Sequence, residues 1–321
     1  MEPASVLVTG AAGFVGSHLV ERLVADGHRV LAVDCLTDYY DLAQKRASLG
    51  GLEGLPGCRV RTDDLRTADL DGLLDGVEVV FHQAGQPGVR ASWEAFGSYV
   101  EHNVEVTQRL LAAAARRGVG RFVYASSSSV YGDAVAYPTH EDDLPHPVSP
   151  YGVTKLAAEH LCGVYASNFA VPTVSLRYFT VYGPRQRPDM AMHRMIEAAL
   201  AGEAFPVFGD GRQVRDFTFV ADVVEANLLA GFADVAPGTV VNVAGGTAAT
   251  LLEVAALIEE LTGRPLRLRF EDAQRGDVVR TGGSIDRAAA VLGWSPRVVL
   301  RDGLAAQVAW HRERAALRAS A

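Results

Sequence analysis

The sequence predicts an α/β fold, a doubly wound parallel sheet followed by a smaller mixed α/β domain at the C-terminus. Over roughly the first 180 residues, short apolar strand-like segments alternate with helix-like segments. A Gly-rich turn separates the first strand from the first helix. After residue 180 the regular alternation ends, because loops rich in Pro and Arg separate the remaining segments. Regular alternation of strand and helix implies parallel strands with helices on both faces of the sheet.

The first strand, helix and second strand form a unit with a recognisable order. An apolar strand at 5–8 ends at Thr9, and a Gly-rich turn at 10–16 leads into a helix that reaches about Asp26. A second strand at 29–33 ends in an acidic residue, Asp34. Strand, Gly-rich turn, helix, strand and acid are the context that a dinucleotide-binding fingerprint requires.

The residue types in this turn indicate a pyrophosphate site. Glycine lets the backbone approach the phosphates, and the helix N-terminus stabilises their charge. Asp34 can accept hydrogen bonds from the adenosine ribose and would repel a 2′-phosphate, so NAD is favoured over NADP. The turn residues assigned to the cofactor are Gly10, Gly13, Phe14, Val15 and Gly16.

The alternation continues after the second strand. Strands are predicted at 58–61, 77–81, 121–125 and 173–177, with a long helical stretch at 92–117 and a further helix after Pro150. We assign to the cofactor Asp64 and Leu65, as contacts near the adenine, together with Gln83, Ala84 and Tyr178.

The remaining chain is predicted to form a second domain over the carboxyl edge of the sheet, where open α/β sheets bind ligands. Helices are expected at 190–200, 222–232, 251–262 and 303–318, and strands at 239–243 and 266–270. The strand at 239–243 is expected to return to the large sheet. We therefore divide the chain into a cofactor-binding domain at 1–180, with return segments near 217–245, and a ligand-binding domain at 181–321.

Tyr151 and Lys155 are the candidate catalytic pair. Pro150 can open a helix, and residues four apart on a helix share a face. A phenol titrates near pH ~10, so a neighbouring cation is needed to make it a better base. Only two of the 30 Lys and Arg residues are lysines, Lys45 and Lys155, and an ammonium differs chemically from a guanidinium. A chain that otherwise uses Arg has kept an ammonium at this position.

Composition excludes several classes of function. The net charge of -8, without a basic block, argues against a nucleic-acid or anionic-membrane partner. The three cysteines, Cys35, Cys58 and Cys162, show no metal spacing, so we assign no metal and expect a reducing cytoplasm. No apolar run approaches the ~20 residues of a membrane span, and we see no export signal at the N-terminus.

Together, Gly10-x-x-Gly13-x-x-Gly16, the serines after the fifth strand and Tyr151-x-x-x-Lys155 resemble the extended short-chain dehydrogenases/reductases of the nucleotide-sugar epimerase/dehydratase group. The resemblance covers nearly the whole chain and implies a Rossmann fold that binds NAD. It implies that Tyr151 takes the proton from a sugar hydroxyl, and that Lys155 holds the ribose and lowers the Tyr pKa. By its place in the motif, Ser127 would share the hydroxyl's hydrogen bond.

Two positions after this serine bear on the reaction type. Dehydratases of the group carry an Asp-Glu pair where this chain has Ser128 and Ser129, and decarboxylating relatives carry Glu at the position of Ser129. Serine cannot act as an acid–base pair at neutral pH. Oxidation, rotation of the keto sugar and reduction from the opposite face remain, which is epimerisation without net redox change.

The segments 177–190 and 87–90 resemble UDP-glucuronic acid 4-epimerases, whereas 4-epimerases of neutral hexoses place Asn where Thr180 stands. The 4-keto form of a glucuronate is a β-keto acid, which loses carbon dioxide unless its carboxylate is held near the ring plane. Hydroxyls and a charge-assisted partner suit that task. The resemblance assigns it to Ser128, Ser129, Thr180 and Arg187, and places Arg90 in the substrate site.

The UDP part of the substrate is assigned to the second domain. Arg215 matches the family's phosphate-binding arginine, and Arg275 with Asp277 matches a pair that holds phosphate and ribose. Val207, within the stretch 205–208, is expected to line the uracil through backbone groups.

Three other interpretations remain open. In these interpretations, the chain would be a 4-epimerase of neutral UDP-hexoses, a UDP-glucuronate decarboxylase that uses the same 4-keto chemistry, or a dinucleotide-sensing regulator without catalysis. The intact Tyr–Lys pair argues against the regulator. We also expect a homodimer, since the family commonly pairs the helices near 92–117 and 150–168 in a four-helix bundle. Apolar positions there are Leu110, Leu111, Leu161 and Val164, which are equally suited to burial against the protein's own sheet.

Overall fold

The computed structural model describes residues 2–272, 276 and 278–320, apart from the side chains of 318–320. Two predicted substrate residues, Arg275 and Asp277, lie outside the described residues. In the described part of the chain, no helix is both long and apolar enough to cross a membrane.

The cofactor-binding half contains six strands and six helices among the described residues. In chain order they are β1 (Ser5–Thr9), α1 (Phe14–Ala25), β2 (Arg29–Val33), α2 (Leu42–Glu53), β3 (Cys58–Arg61), α3 (Leu70–Leu73), β4 (Val79–His82), α4 (Phe96–Tyr99), α5 (Val106–Arg117), β5 (Arg121–Ser127), α6 (Pro150–Phe169) and β6 (Thr173–Tyr178). The later elements are β7 (Thr180–Tyr182), α7 (Ala191–Ala201), β8 (Ala204–Phe208), β9 (Val214–Phe219), α8 (Val220–Phe232), β10 (Thr239–Val243), β11 (Thr247–Thr250), α9 (Leu251–Thr262), β12 (Arg267–Glu271), α10 (Asp286–Leu292) and α11 (Leu300–Ser320).

The main sheet has seven strands in the order β10-β6-β5-β4-β1-β2-β3. Every neighbouring pair in it is parallel. The predicted doubly wound parallel sheet is therefore confirmed. The return of the strand at 239–243 is also confirmed, because β10 pairs with β6 along its whole length.

Both faces of this sheet are covered, which explains the continuous apolar runs in its central strands. Side chains alternate between the faces, so Val6 and Val8 of β1 pack into one core while Leu7 packs into the other. In β4, Phe81 and Val80 divide in the same way. The two cores hold the strands in place. They therefore also hold the edge of the sheet where the carboxyl ends of the strands meet.

The later elements form two smaller sheets. The strands β11, β9 and β7 make one, and β12 with β8 makes the other. A third core includes Met195 of α7, Ile258 of α9 and Leu304 of α11. A domain boundary near residue 180 remains our proposal.

The continuous helix expected at 92–117 is wrong. A 3₁₀ turn at Ala91–Trp93, the short α4 and a π-helical turn at Val100–Glu105 precede α5. The π turn holds Asn103, whose side chain accepts from the backbone N–H of Gln86 and donates to Thr154 Oγ1 at 3.0 Å. A wider turn of this kind is often found at functional sites, and here it ties the loop after β4 to the helix that bears Lys155.

Two of the positions considered for a helix-bundle interface are buried in the chain itself. Leu110 and Leu111 of α5 are fully buried in the core beneath the sheet. Val164 of α6 is half-exposed, and Leu161 is partly buried against the same core. Of these four positions, Val164 is therefore the most accessible to a partner.

A buried ion pair connects β6, α6 and β5. Arg177 donates to both carboxylate oxygens of Glu159, at 3.0 and 2.6 Å, and each side chain is only 4% exposed. Ser126 donates to the same carboxylate at 2.6 Å, and Arg177 also donates to the Tyr131 hydroxyl at 2.8 Å. With its hydrogen bonds satisfied, the pair joins the end of β5 to the helix that carries Tyr151.

We predict that Glu159→Gln lowers the free energy of unfolding by about 3 kcal/mol or more, because it leaves the Arg177 guanidinium buried without its counter-charge. Urea denaturation followed by circular dichroism measures the change. The control is Glu260→Gln, which breaks the exposed pair with Arg301 and should cost less than about 1 kcal/mol. Equal effects of the two substitutions would contradict this account of the buried pair.

Candidate active site

A single cleft of about 920 Å³ lies at the carboxyl edge of the main sheet, between it and the later elements. It is lined by most of the residues that the sequence predicted: Gly10, Gly13, Phe14, Val15, Gly16, Asp34, Asp64, Leu65, Gln83, Ala84, Arg90, Ser127, Ser128, Ser129, Tyr151, Lys155, Tyr178, Thr180, Arg187 and Arg215. The fold thus brings the predicted cofactor and substrate residues to one site.

The glycine turn leaves no room for side chains. Gly10 has φ +68°, and a Cβ there would lie 2.7 Å from the backbone N of Ala84. A Cβ on Gly16 would overlap the carbonyl oxygen of Gly10. Gly13 caps α1 without a side-chain hydrogen bond, so the first-turn amides of α1 face the cleft. This cradle fits the pyrophosphate of a dinucleotide.

Asp34 is held at the end of β2 by two backbone donors. Its carboxylate accepts from the amides of Ala12 at 3.0 Å and Leu36 at 2.8 Å. Each oxygen keeps a lone pair for a ribose hydroxyl, as the cofactor prediction requires. The neighbouring Asp64 pairs with Arg66 at 2.8 Å, and this hydrogen bond lowers the pKa of the Asp64 carboxyl.

Tyr178 and Gln83 are joined by a residue that sequence reasoning missed. The Tyr178 hydroxyl lies 2.9 Å from Asn227 Oδ1 and 3.1 Å from Gln83 Oε1, and Gln83 donates to Asn227 at 2.9 Å. Asn227 is fully buried in α8. It holds the two cleft residues in place from the far side.

The structure separates the roles of the serines after β5. Ser126 is turned towards Glu159, whereas Ser127 ends the strand and its hydroxyl accepts from the Ser129 amide at 3.1 Å. On α6, Ser149 caps the helix by accepting from the Gly152 amide, and Pro150 takes the first position. The cap fixes where the first turn begins, and Tyr151 lies on that turn.

The sequence predicted a lowered pKa for Tyr151, and this prediction is wrong for the chain without its cofactor. The pKa is raised, because burial disfavours the phenolate. A hydrogen bond with Ser127 and the charge of Arg187 act in the opposite direction. The cation that favours the phenolate is therefore Arg187, and Lys155 is not among the causes.

Lys155 lines the cleft but is itself buried. Its Nζ lies 4.6 Å from the centre of the Tyr124 ring, and the residue is only 6% exposed. In the described part of the chain, no carboxylate oxygen lies within 4 Å of this ammonium, and burial lowers its pKa to about 8. A buried ammonium without a counter-ion is suited to a polar ligand that enters the cleft.

Arg187 lines the same cleft as Tyr151 and acts on its pKa. Its guanidinium makes two bonds to Asp189, at 3.0 and 3.1 Å. Burial would lower the pKa of Arg187, but Asp189 outweighs that effect and raises it. Arg187 therefore stays charged within a cleft whose lining also includes the short hydroxyls Ser128 and Thr180.

The residues predicted to bind UDP differ in whether they line the cleft. Arg90 lines the cleft with its guanidinium 4.2 Å above the Phe208 ring, and Arg215 lines it too. Val207 was expected to act through its backbone, which stays a prediction; its side chain is fully buried in the third core. Its neighbours Pro206 and Phe208 line the cleft instead, as strand alternation requires.

Several lining residues were not found from the sequence. Tyr39 lies beside Tyr99 and Asp189, and its pKa is raised chiefly by burial. Lys45 donates to Thr37 at 2.6 and 2.9 Å. Both lysines of the chain therefore line one cleft. The scarcity of lysine that pointed to Lys155 would have pointed to Lys45 as well.

Comparison with known proteins identifies relatives across the whole chain. The family model described as "NAD dependent epimerase/dehydratase family" matches residues 6–244. The chain is 44% identical to the uncharacterized UDP-glucose epimerase YtcB of Bacillus subtilis, over 95% of this chain and 97% of that protein.

Solved structures agree with this. The UDP-glucuronic acid 4-epimerase of Bacillus cereus, in complex with UDP-glucuronic acid and NAD, is 40% identical with a TM-score of 0.94, over 97% of this chain and 99% of that chain. MoeE5 in complex with UDP-glucuronic acid and NAD is 44% identical with a TM-score of 0.89 over the same shares. MoeE5 has also been solved with UDP-glucose and NAD.

We predict that Lys155→Met stabilises the cofactor-free protein, because it removes a charge that burial disfavours. The pKa falls from 10.5 to about 8, which corresponds to a gain on the order of 3 kcal/mol at pH 7. The gain should be complete below pH 8 and should vanish as pH rises towards 10.5, where the unfolded lysine also loses its proton.

Thermal and urea unfolding between pH 7 and pH ~10 measure this difference. Lys45→Met is the matched control: burial also lowers the pKa of Lys45, but Lys45 donates two hydrogen bonds to Thr37, so this variant should gain less stability than Lys155→Met. Loss of stability in Lys155→Met at pH 7 would show that the ammonium is paired in the folded protein.

Proposed function

The chain belongs to the NAD-dependent epimerase/dehydratase family, and from that premise we propose that it inverts C4 of UDP-glucuronate to give UDP-galacturonate. Family membership confirms NAD as the cofactor. The broader activity, NAD-dependent 4-epimerisation of a UDP-sugar, is supported by relatives that share nearly the full length of the chain. The acidic sugar is the finer part of the proposal.

The position of Arg187 carries that finer part. Its guanidinium lines the cleft that Tyr151 lines and is near enough to act on the pKa of that phenol. A permanent cation beside the reacting hydroxyl is unnecessary for a neutral hexose. For a hexuronate, it offers the carboxylate a charge-assisted, bidentate partner.

Tyr151 and Ser127 move the proton. The phenolate of Tyr151 accepts the proton of the C4 hydroxyl, and Ser127 shares the hydrogen bond and helps to hold the phenolate. When the ketone is reduced from its other face, the Tyr151 phenol returns the proton. The base is restored, so the cycle needs no external acid.

Bound NAD would supply the hydride acceptor and donor at C4, and the positive charge of its nicotinamide would favour the Tyr151 phenolate. The residues that would hold it are the glycine turn, Asp34 and Lys155, whose ammonium would find in the ribose hydroxyls the partner that the described residues do not provide. Asn227 keeps Tyr178 and Gln83 in position behind that site.

Retention of the carboxylate depends on the substrate side of the cleft. Ser128, Ser129 and Thr180 line it beside Arg187. Their hydroxyls and the guanidinium together hold a carboxylate near the plane of the sugar ring, where its carbon–carbon bond does not align with the ketone. None of these groups is an acid that assists the loss of carbon dioxide or water.

A second candidate is 4-epimerisation of a neutral UDP-hexose. It is favoured by the name of the Bacillus subtilis relative and by the binding of UDP-glucose to MoeE5. Thr180 and Arg187 distinguish the two candidates, because neither hydroxyl nor guanidinium finds a charged partner on a neutral sugar.

We also propose a homodimer. Half-exposed apolar side chains on or close to the helices expected to form the bundle include Trp93, Phe96, Val153, Val164 and Phe169. Exposed apolar side chains on these helices are suited to burial against a second copy.

Incubation of the purified protein with UDP-glucuronate should give UDP-galacturonate, since Tyr151 and Arg187 act on the same bound sugar. Proton NMR of the nucleotide-sugar fraction identifies the product. A UDP-pentose would replace the proposal by decarboxylation, and conversion of UDP-glucose alone would replace it by the neutral-sugar reaction.

Arg187→Met should lower kcat/KM for UDP-glucuronate by roughly 10- to 100-fold, the effect of losing one charged hydrogen-bond partner. The effect on UDP-glucose should be several-fold smaller, because that sugar has no carboxylate. Arg185→Met is the matched control, since Arg185 pairs with Glu21 at 2.6 Å on the surface instead. Equal losses for both substrates would contradict a carboxylate-binding role.

A further inference from the structure

A cluster of two histidines and a glutamate lies apart from the cleft, where α7 meets α11. His193 and Glu197 are one turn apart on α7, and His311 comes from α11. Their possible ligand atoms all lie within 4.8 Å of one another. The two imidazoles are 2% and 3% exposed, whereas the carboxylate of Glu197 is about half-exposed. The cluster is therefore buried on one side and open to solvent on the other.

The tautomer of the neutral His193 ring follows from its surroundings. Its Nδ1 lies 2.7 Å from the carbonyl oxygen of Gln186, and a carbonyl only accepts, so Nδ1 carries the proton. In the neutral ring Nε2 is then a bare lone pair. That nitrogen lies 3.4 Å from Glu197 Oε1. Two acceptors then face each other, an arrangement that needs either a proton or a metal ion between them.

His311 adds a second unsatisfied ring. Its Nδ1 lies 3.6 Å from the same oxygen of Glu197, too far for a good hydrogen bond. Its Nε2 is buried without a hydrogen-bond partner. The two rings meet edge to face at 4.4 Å. A ligand on His311 Nδ1 would leave the ring proton on Nε2 of the same ring. Within the cluster, His193 Nε2 and His311 Nδ1 both face Glu197 Oε1 at more than normal hydrogen-bond distance, and buried polar atoms in native proteins are normally paired, so these two nitrogens call for a ligand.

We propose that His193, Glu197 and His311 form a binding site for a divalent transition metal of the zinc class, with water completing the coordination. Two imidazoles and a carboxylate are a donor set that such ions prefer. Separations of 3.4 and 3.6 Å between the nitrogens and the carboxylate oxygen are close to the ~3.3 Å edge of a tetrahedron with bonds of ~2.0 Å. The Nδ1–H of His193 on Gln186 is the outer contact that orients a metal-binding imidazole.

The site connects the C-terminal helix to the loop before α7. Gln186 accepts from the backbone amide of His193 at 3.0 Å and from Gln307 of α11 at 2.9 Å. Gln186 precedes Arg187 in the chain and is itself buried. A metal that ties α11 to α7 would therefore stabilise the base of the loop that carries Arg187, without touching the reacting groups.

The site is tested on full-length protein freed of metal with a chelator. Titration with Co²⁺ should give the visible absorption of a four-coordinate ion, saturating at one equivalent, and Zn²⁺ should displace it. Zn²⁺ at 100 times its dissociation constant should raise the unfolding temperature by about 4 °C.

Glu197→Gln removes one ligand while preserving size, and should weaken Co²⁺ binding by about tenfold or more. The metal-free variant should unfold no earlier than the wild type, because an amide N–H can donate to His193. His311→Gln provides a second test from the other helix. Glu203→Gln, on the surface just after α7, is the control and should bind Co²⁺ like the wild type.

Two results would overturn the site. One is the absence of a saturable Co²⁺ spectrum and of any Zn²⁺-dependent shift in unfolding, which would mean that a proton on His193 satisfies the cluster. The other is equal Co²⁺ binding by the wild type, Glu197→Gln and His311→Gln, which would place the ion elsewhere among the nine histidines of the chain.

Discussion

The buried pair between Arg177 and Glu159 is the constraint on which the geometry of the candidate site depends. It joins β6 to α6, and the hydrogen bond from Ser126 brings the end of β5 into the same network. Because Ser126 is turned inwards, the next residue, Ser127, is presented to the cleft on the opposite face of the strand. The same helix carries Tyr151 two turns before Glu159. The serine and the phenol are thus positioned by one set of charges that never meets a ligand.

Two of the cations that line the cleft, Arg187 and Lys155, differ in what holds them. Arg187 is paired with Asp189 and keeps its charge, so it acts on the Tyr151 phenol even in the cofactor-free chain. Lys155 has no counter-ion in the described part of the chain, and burial lowers its pKa. A buried ammonium without a counter-ion lowers the stability of the ligand-free protein, and a polar ligand that enters the cleft offsets this loss. Such a conflict is expected where stability and function compete.

The sequence predicted the sheet, the glycine turn and the Tyr–Lys helix because each depends on local pattern: apolar runs, backbone space, or a four-residue spacing. It failed where distant contacts decide. The π turn around Asn103 forms because that side chain bonds to Gln86 and Thr154, neither of which is a sequence neighbour. The role of Asn227 could not be predicted from the sequence, because it depends on how α8 packs behind the cleft. The pKa of Tyr151 depends on burial, which spacing on a helix does not report.

The central claim is that the Tyr151 phenol is the base, and Tyr151→Phe tests it most directly. Turnover of UDP-glucuronate and calorimetric binding of UDP are measured on this variant and on Tyr165→Phe, a control from the same helix. The account predicts that Tyr151→Phe loses roughly 10²- to 10⁴-fold in kcat while UDP binds within about twofold of the wild type. A Tyr151→Phe protein that retains wild-type turnover would contradict it.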